Sequence, residues 1–374
     1  MDPDVEMSEI VGSIDVASVS PSVVSNTLLF LIDTLGMTYD LVTAVATADA
    51  AGENMSVFKS LASHSVGEFL PESLTSLFPD IDFSEKNLMI NQLSDSFVMF
   101  LPDMPHLVKN IVTALEKSSK KNSKRNLRYG NDPINLNAIY AMWVATGGLT
   151  FQQSHTKLSM AHFFKDAYSR MRVNLAVQVL SQSVVQMIKK GVADENIEVP
   201  LGKHRYCRLI ELAENVDKLV DICNGRSKNS TGRDVFTPDN AETKQIELLA
   251  ILGWFSEWKK VHSNRVSKDF DTEFHFFANE TWRNIQWLIL GHVFLIQFWV
   301  KGKGFSFNPR VANTDCIEHH FGNGRQMTAG SHNSLTAMQW NYADSKGGRL
   351  KEARRALKGN NAMAPTAFAR KQKF

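Results

Sequence analysis

The stretch Ser96–Leu101 (SFVMFL) constrains the fold most, because it is apolar at nearly every position and stops at Pro102. A short apolar run closed by a residue without a backbone N–H is the pattern of a buried strand. A buried strand needs packed elements around it, so the first third of the chain reads as mixed α/β. Glu9–Ala17 (EIVGSIDVA), Ser25–Ile32 (SNTLLFLI) and Asp40–Thr47 (DLVTAVAT) read as further strands, and Gly67–Phe78 as partly helical with Pro71 in a first turn. Pro105 suits the first turn of a helix from His106 to about Glu116, with Leu107, Ile111 and Leu115 on one face.

Past that helix the texture changes. Lys117–Arg128 (KSSKKNSKRNLR) is a basic loop leading toward a short strand near Asn126–Tyr129. From Asn135 to Val300 helical spacing dominates, over Tyr168–Lys190, Leu209–Cys223 and Glu247–Val261, with a turn-rich loop at Gly225–Asn240. The most apolar stretch, Gln286–Val300, contains Gln286, His292 and Gln297 and reads as a buried helix, short of a membrane span. Asp315–Gly324 reads as one more short helix, and the tail from Lys346 is basic. The order suits a sheet interrupted by a long helical block before a last acidic helix.

Charge is divided along the chain. Residues 1–104 hold 16 acidic and 2 basic side chains, while the whole chain has 39 acidic and 41 basic, leaving 23 acidic and 39 basic for the remainder. A net charge of +2 therefore hides a strongly basic part, able to attract a phosphate backbone. Three cysteines, Cys207, Cys223 and Cys316, are too few and too scattered for a disulfide framework or a zinc module, which suits a reducing compartment. The acidic start, MDPDVEMSE, is the opposite of a secretory signal.

Two carboxylates stand out. Asp103 sits just past the buried strand and before a helix, where it could cap the helix or help hold a divalent metal ion. Glu318, in TDCIEHHFGNGR (Thr314–Arg325), lies on a short helix 215 residues later. The neighbouring His319 and His320 point different ways on a helix and make a poor ligand pair.

These residues carry a resemblance. FLPDMPHLVKN (Phe100–Asn110), KLSMAHFFKDAYSRMRVNLAVQVLSQSV (Lys157–Val184), WFSEWKK (Trp254–Lys260), ETWRNIQWLILG (Glu280–Gly291) and TDCIEHHFGNGR resemble, in order, motifs of P-element-type transposases, including relatives with an N-terminal THAP domain. The similarity runs from about Glu9 to Tyr342.

The resemblance implies an α/β RNase H-like mixed sheet interrupted by a large all-α, GTP-binding insertion. The expected boundaries are 1–132 and 313–345 for the RNase H-like parts, 133–312 for the insertion and 346–374 for the basic tail. It implies Asp103 and Glu318 as the second and third members of an Asp-Asp-Glu triad binding Mg2+ or Mn2+. Asp221, Asn224 and Asp315 would contact GTP, which serves DNA engagement and does not power the chemistry. Lys109 and Arg325 would neutralise DNA phosphates, with Lys117–Arg128 and the tail as further candidates. Partners would be transposon-end and target DNA and further copies of the chain, in the nucleus, with no membrane.

The sequence departs from the family pattern in three places. The strand carrying the leading aspartate would precede EIVGSID, so the expectation is an N-terminally shortened core, weakly active or inactive in cleavage and strand transfer. Val220 stands where the family has an aromatic residue, and Thr314 where it has Gln. There is no GxxxxGK[ST] phosphate loop. The alternative is a transposase-derived DNA-binding or regulatory protein without catalysis.

Overall fold

The structure is a computed structural model that describes residues 20–39, 43–49, 52–91, 96–120, 123–149, 156–165, 172–199, 202–225, 234–269 and 275–314. Of these, residues 20–313 belong to one compact unit. The expected strand Glu9–Ala17, the acidic helix at Asp315–Gly324 and the tail lie outside the described residues.

The sheet is built around the strand that the sequence marks. β4 (Ser96–Pro102) pairs in parallel with β1 (Val45–Ala48) and antiparallel with β3 (Lys86–Asn91), which pairs antiparallel with the short β2 (His64–Ser65). The order is β1-β4-β3-β2. The uniform apolarity of β4 follows from helices on both faces. Val98 and Phe100 point into one cluster with Ile32 of α1 (Pro21–Tyr39) and Met55, Val57 and Phe58 of α2 (Gly52–Leu61). Met99 and Leu101, on the alternate face, join the larger core with α4 (Met104–Ser118).

Ser25–Ile32 is helical within α1, contrary to the strand reading. Val24, Leu28 and Ile32 pack on the first cluster, and a spacing of four satisfies the periods of a strand and of a helix alike. Phe30, which a strand would bury with them, is 65% exposed. Pro71, expected inside a first turn, sits at the N-cap of the short α3 (Glu72–Thr75).

The helical block follows as α5 (Leu136–Ala145), α6 (Met160–Phe163), α7 (Val173–Val179), α8 (Gln182–Ala193), α9 (Cys207–Cys223), α10 (Ala241–Asp269) and α11 (Asn279–Leu295). The segment that reads as one helix over Tyr168–Lys190 is divided at Leu180 and Ser181, where Ser181 is extended. Leu175 and Val184 are both buried. Nine residues apart, they would face about 180° from each other on one straight helix. Breaking the helix lets both enter the core.

The basic loop ends in a small hairpin, β5 (Arg128–Tyr129) and β6 (Asp132–Pro133), tied to α10 by the Trp258 Nε1 donation to Arg128 O at 2.6 Å. α11 continues into a π-helical turn, Ile296–Gly302. This 24-residue run is long and apolar enough by composition to cross a membrane, but most of it is enclosed by the core. It crosses β4 at Gly291, where a Cβ would lie 2.1 Å from Leu101 Cδ2.

Candidate functional site

The C-terminal ends of β1 and β4 form the feature with the clearest chemical potential. Parallel register matches Ala48 with Pro102, so the next residues, Asp49 and Asp103, leave the sheet side by side. Asp103 N donates to Ala48 O at 2.7 Å, which fixes that alignment. Neighbouring strands run about 4.8 Å apart, so the two carboxylates start from adjacent backbone positions.

Their surroundings differ. Asp103 is 1% exposed and is the N-cap of α4. Its Oδ2 accepts from His106 N at 3.2 Å and lies 2.7 Å from His106 Nδ1. Asp49 is half-buried, and its Oδ1 accepts from Asn54 Nδ2 at 2.5 Å. Asp49 was missed in the sequence, although its signal matches that of Asp103: a carboxylate just past a strand and just before a helix. Thr47, on the same strand, donates to Ala312 O at 3.3 Å. The short helical turn that ends at Ala312 thus lies alongside β1. Glu318, Asp315 and Arg325 lie outside the described residues. Among the described residues, no group of three or more His, Cys, Asp or Glu is arranged to hold a metal ion.

The remaining candidates lie along the helices. Lys109 is half-buried on α4. Asp221 is half-buried on the last turn of α9, and Asn224 is the C-cap of that helix, its N–H donating to Val220 O at 3.0 Å. Val220 belongs to the main core. At Gly225 the chain passes so close to Asp234 that a Cβ would lie 2.3 Å from its carbonyl oxygen. The α9 terminus and the start of the next segment are therefore in direct contact. Phe236 and Phe307 exchange backbone hydrogen bonds of 2.8 and 2.9 Å, joining that segment to the strip before Ala312. Deeper in, His292 Nδ1–H donates to Leu288 O at 2.8 Å, and burial pushes the His292 pKa down to about 4. It is a neutral core histidine.

Comparisons with known proteins bear on the helical block and on the fold. Residues 106–235, from the first turn of α4 to just past α9, match the family described as TNP-like, GTP-binding insertion domain. No curated protein matches the sequence. Among solved structures, the fold is similar to a chain of the Drosophila P element transposase strand transfer complex, with a TM-score of 0.64 and 14% identity. The similarity covers 85% of this chain and 62% of that one, so this chain spans less than two thirds of that chain's length. The chain thus carries a segment that matches the GTP-binding insertion domain family, on a fold similar to that of a P element transposase chain.

Proposed function

We propose that the chain is a P-element-type transposase core that binds DNA and acts on its phosphodiesters, with GTP as a ligand of the helical insertion. The observation that carries this reading is the parallel register that brings Asp49 and Asp103 to one end of the sheet. Converging strand-end carboxylates are what an RNase H-like sheet offers to divalent cations. Asp49 fits that role through its half-buried carboxylate, while Asp103 holds the first turn of α4 through His106. Glu318 is the third carboxylate of this reading. Bound Mg2+ or Mn2+ would supply positive charge for the attacking and leaving oxygens of a phosphodiester. The chain's own contribution is to fix the carboxylates on rigid strand ends.

The RNase H-like part would comprise residues 1–132 and 313–345, with 133–312 as the insertion. Asp221 and Asn224 at the end of α9, together with Asp315, would accept hydrogen bonds from the guanine base, and Lys109 and Arg325 would meet DNA phosphates. The protein would work in the nucleus as a homo-oligomer on transposon-end and target DNA, in DNA integration.

One observation favours a second reading, a DNA-binding protein without catalysis: Asp103 Oδ2 already faces two nitrogens of His106. A Mn2+ titration of the full chain, followed by electron paramagnetic resonance, separates the two. The catalytic reading expects weaker Mn2+ uptake in Asp49→Asn and Glu318→Gln than in wild type. Unchanged uptake in both variants sinks it and leaves the second reading.

A further inference from the structure

A cleft of about 560 Å³ opens between α2, α4, the basic loop and the first turns of α11. Its charged lining is Lys59, Lys117, Arg125 and Arg283 against the single acid Glu280, four cations and one anion for a balance of +3. Lys59 and Lys117 are exposed and make no ion pair among the described residues. Arg125 is braced by a 2.5 Å donation from its guanidinium to Phe276 O. Arg283 has no hydrogen-bond partner at Nε among the described residues, and the Glu85 carboxylate is 4.0 Å from it. Four cations gathered around one concave surface repel one another, an arrangement that an anionic ligand relieves.

One wall also presents polar side chains at a regular spacing. Asn110, Thr113 and Lys117 line the cleft from one face of α4. They span seven residues, or about 10 Å of helix. That matches the rise of about three base-pair steps at 3.4 Å each. The cap residue of α11, Ala278, has no side-chain oxygen, and it too lines the cleft, so the first-turn N–H groups of this helix have no side-chain cap there. α2 begins three residues after Asp49 and lines the cleft from Gly52 on, whereas α4 lines it with its second half, from Asn110 to Lys117.

We propose that this cleft seats the phosphodiester backbone of duplex DNA, with Lys59, Lys117, Arg125 and Arg283 meeting its phosphates. The proposal rests on the reading of the chain as a DNA-acting protein and adds where the duplex lies. The test measures anisotropy of a labelled mixed-sequence duplex with the full chain at several salt concentrations. Wild type is compared with Lys59→Ala/Lys117→Ala and with a control pair outside the cleft, Lys190→Ala/Arg205→Ala. All four side chains are exposed, and thermal melting confirms that the variants fold. Each phosphate neutralised contributes about 0.9 to the slope of log affinity against log salt. The cleft pair should therefore lower the slope by about 2, with the control pair unchanged.

An unchanged slope in the cleft pair, while wild type binds the duplex, overturns the cleft proposal and leaves the functional reading standing. No duplex binding by wild type overturns both. Fluorescent GTP supplies the other arm: loss of its binding in the cleft pair, with the duplex slope intact, assigns the cleft to a free nucleotide and overturns the backbone proposal.

Discussion

Replacing Asp103 by alanine should destabilise the fold, whereas the same change at Asp49 should leave it nearly intact. Asp103 caps α4 and is 1% exposed, so its loss removes an N-cap, typically about 1 kcal/mol. It also removes the 2.7 Å contact with His106 Nδ1, and hydrogen bonds to a charged group contribute about 1.5–3 kcal/mol. The His106 side chain is 25% exposed and can recover part of that by turning to water. The expected loss for Asp103→Ala is therefore about 2–4 kcal/mol. Asp103→Asn keeps an acceptor for the His106 N–H and should lose about 1 kcal/mol. Asp49 is half-buried and accepts from Asn54, so Asp49→Ala should lose less, about 1 kcal/mol. Urea unfolding followed by tryptophan fluorescence reads all three. Equal losses at the two positions, or a neutral Asp103→Ala, would refute the reasoning that the buried cap Asp103 supports the fold more than the half-buried Asp49 does.

Other perturbations probe different parts of the account. Gly291→Ala should destabilise by about 1–3 kcal/mol, because the new methyl meets Leu101 Cδ2 and lies 3.2 Å from Met99 Sδ in a closed core; calorimetry measures this. His292, with a folded pKa of about 4 against about 6.5 when unfolded, leaves the unfolded chain holding more protons between those values. Stability should thus be full above about pH 6.5 and fall by up to about 3 kcal/mol toward pH 4. His292→Leu should flatten that component in urea melts compared across pH, and an unchanged profile refutes it. Asp221→Ala should weaken binding of fluorescent GTP at least tenfold without lowering the melting temperature; equal affinity removes Asp221 from the site.

What the sequence disclosed, and what it hid, follows from the range of each interaction. β4 and α4 were legible because a closed apolar run and a Pro after the cap are local signals, and so were α9 and α10, whose apolar spacing is regular. α1 was not, since Val24, Leu28 and Ile32 fit both periods and only the packing against Phe58 and Phe100 decides. The division between α7 and α8 was hidden for a similar reason: a strip of apolar residues does not say which neighbours must receive it. Asp49 escaped because its nearness to Asp103 depends on register between strands about 50 residues apart. The basic loop was legible as charge, but the cleft joining Arg125 to Lys59 and Arg283 exists only after α2 and α11 have packed beside α4.

The most direct measurement is the binding isotherm of a labelled DNA duplex to the full chain, with and without GTP, at one fixed salt concentration. The account expects saturable duplex binding that tightens with GTP and with a non-hydrolysable GTP analogue alike, and that ATP leaves unchanged. No duplex binding, or an isotherm indifferent to GTP, would contradict it.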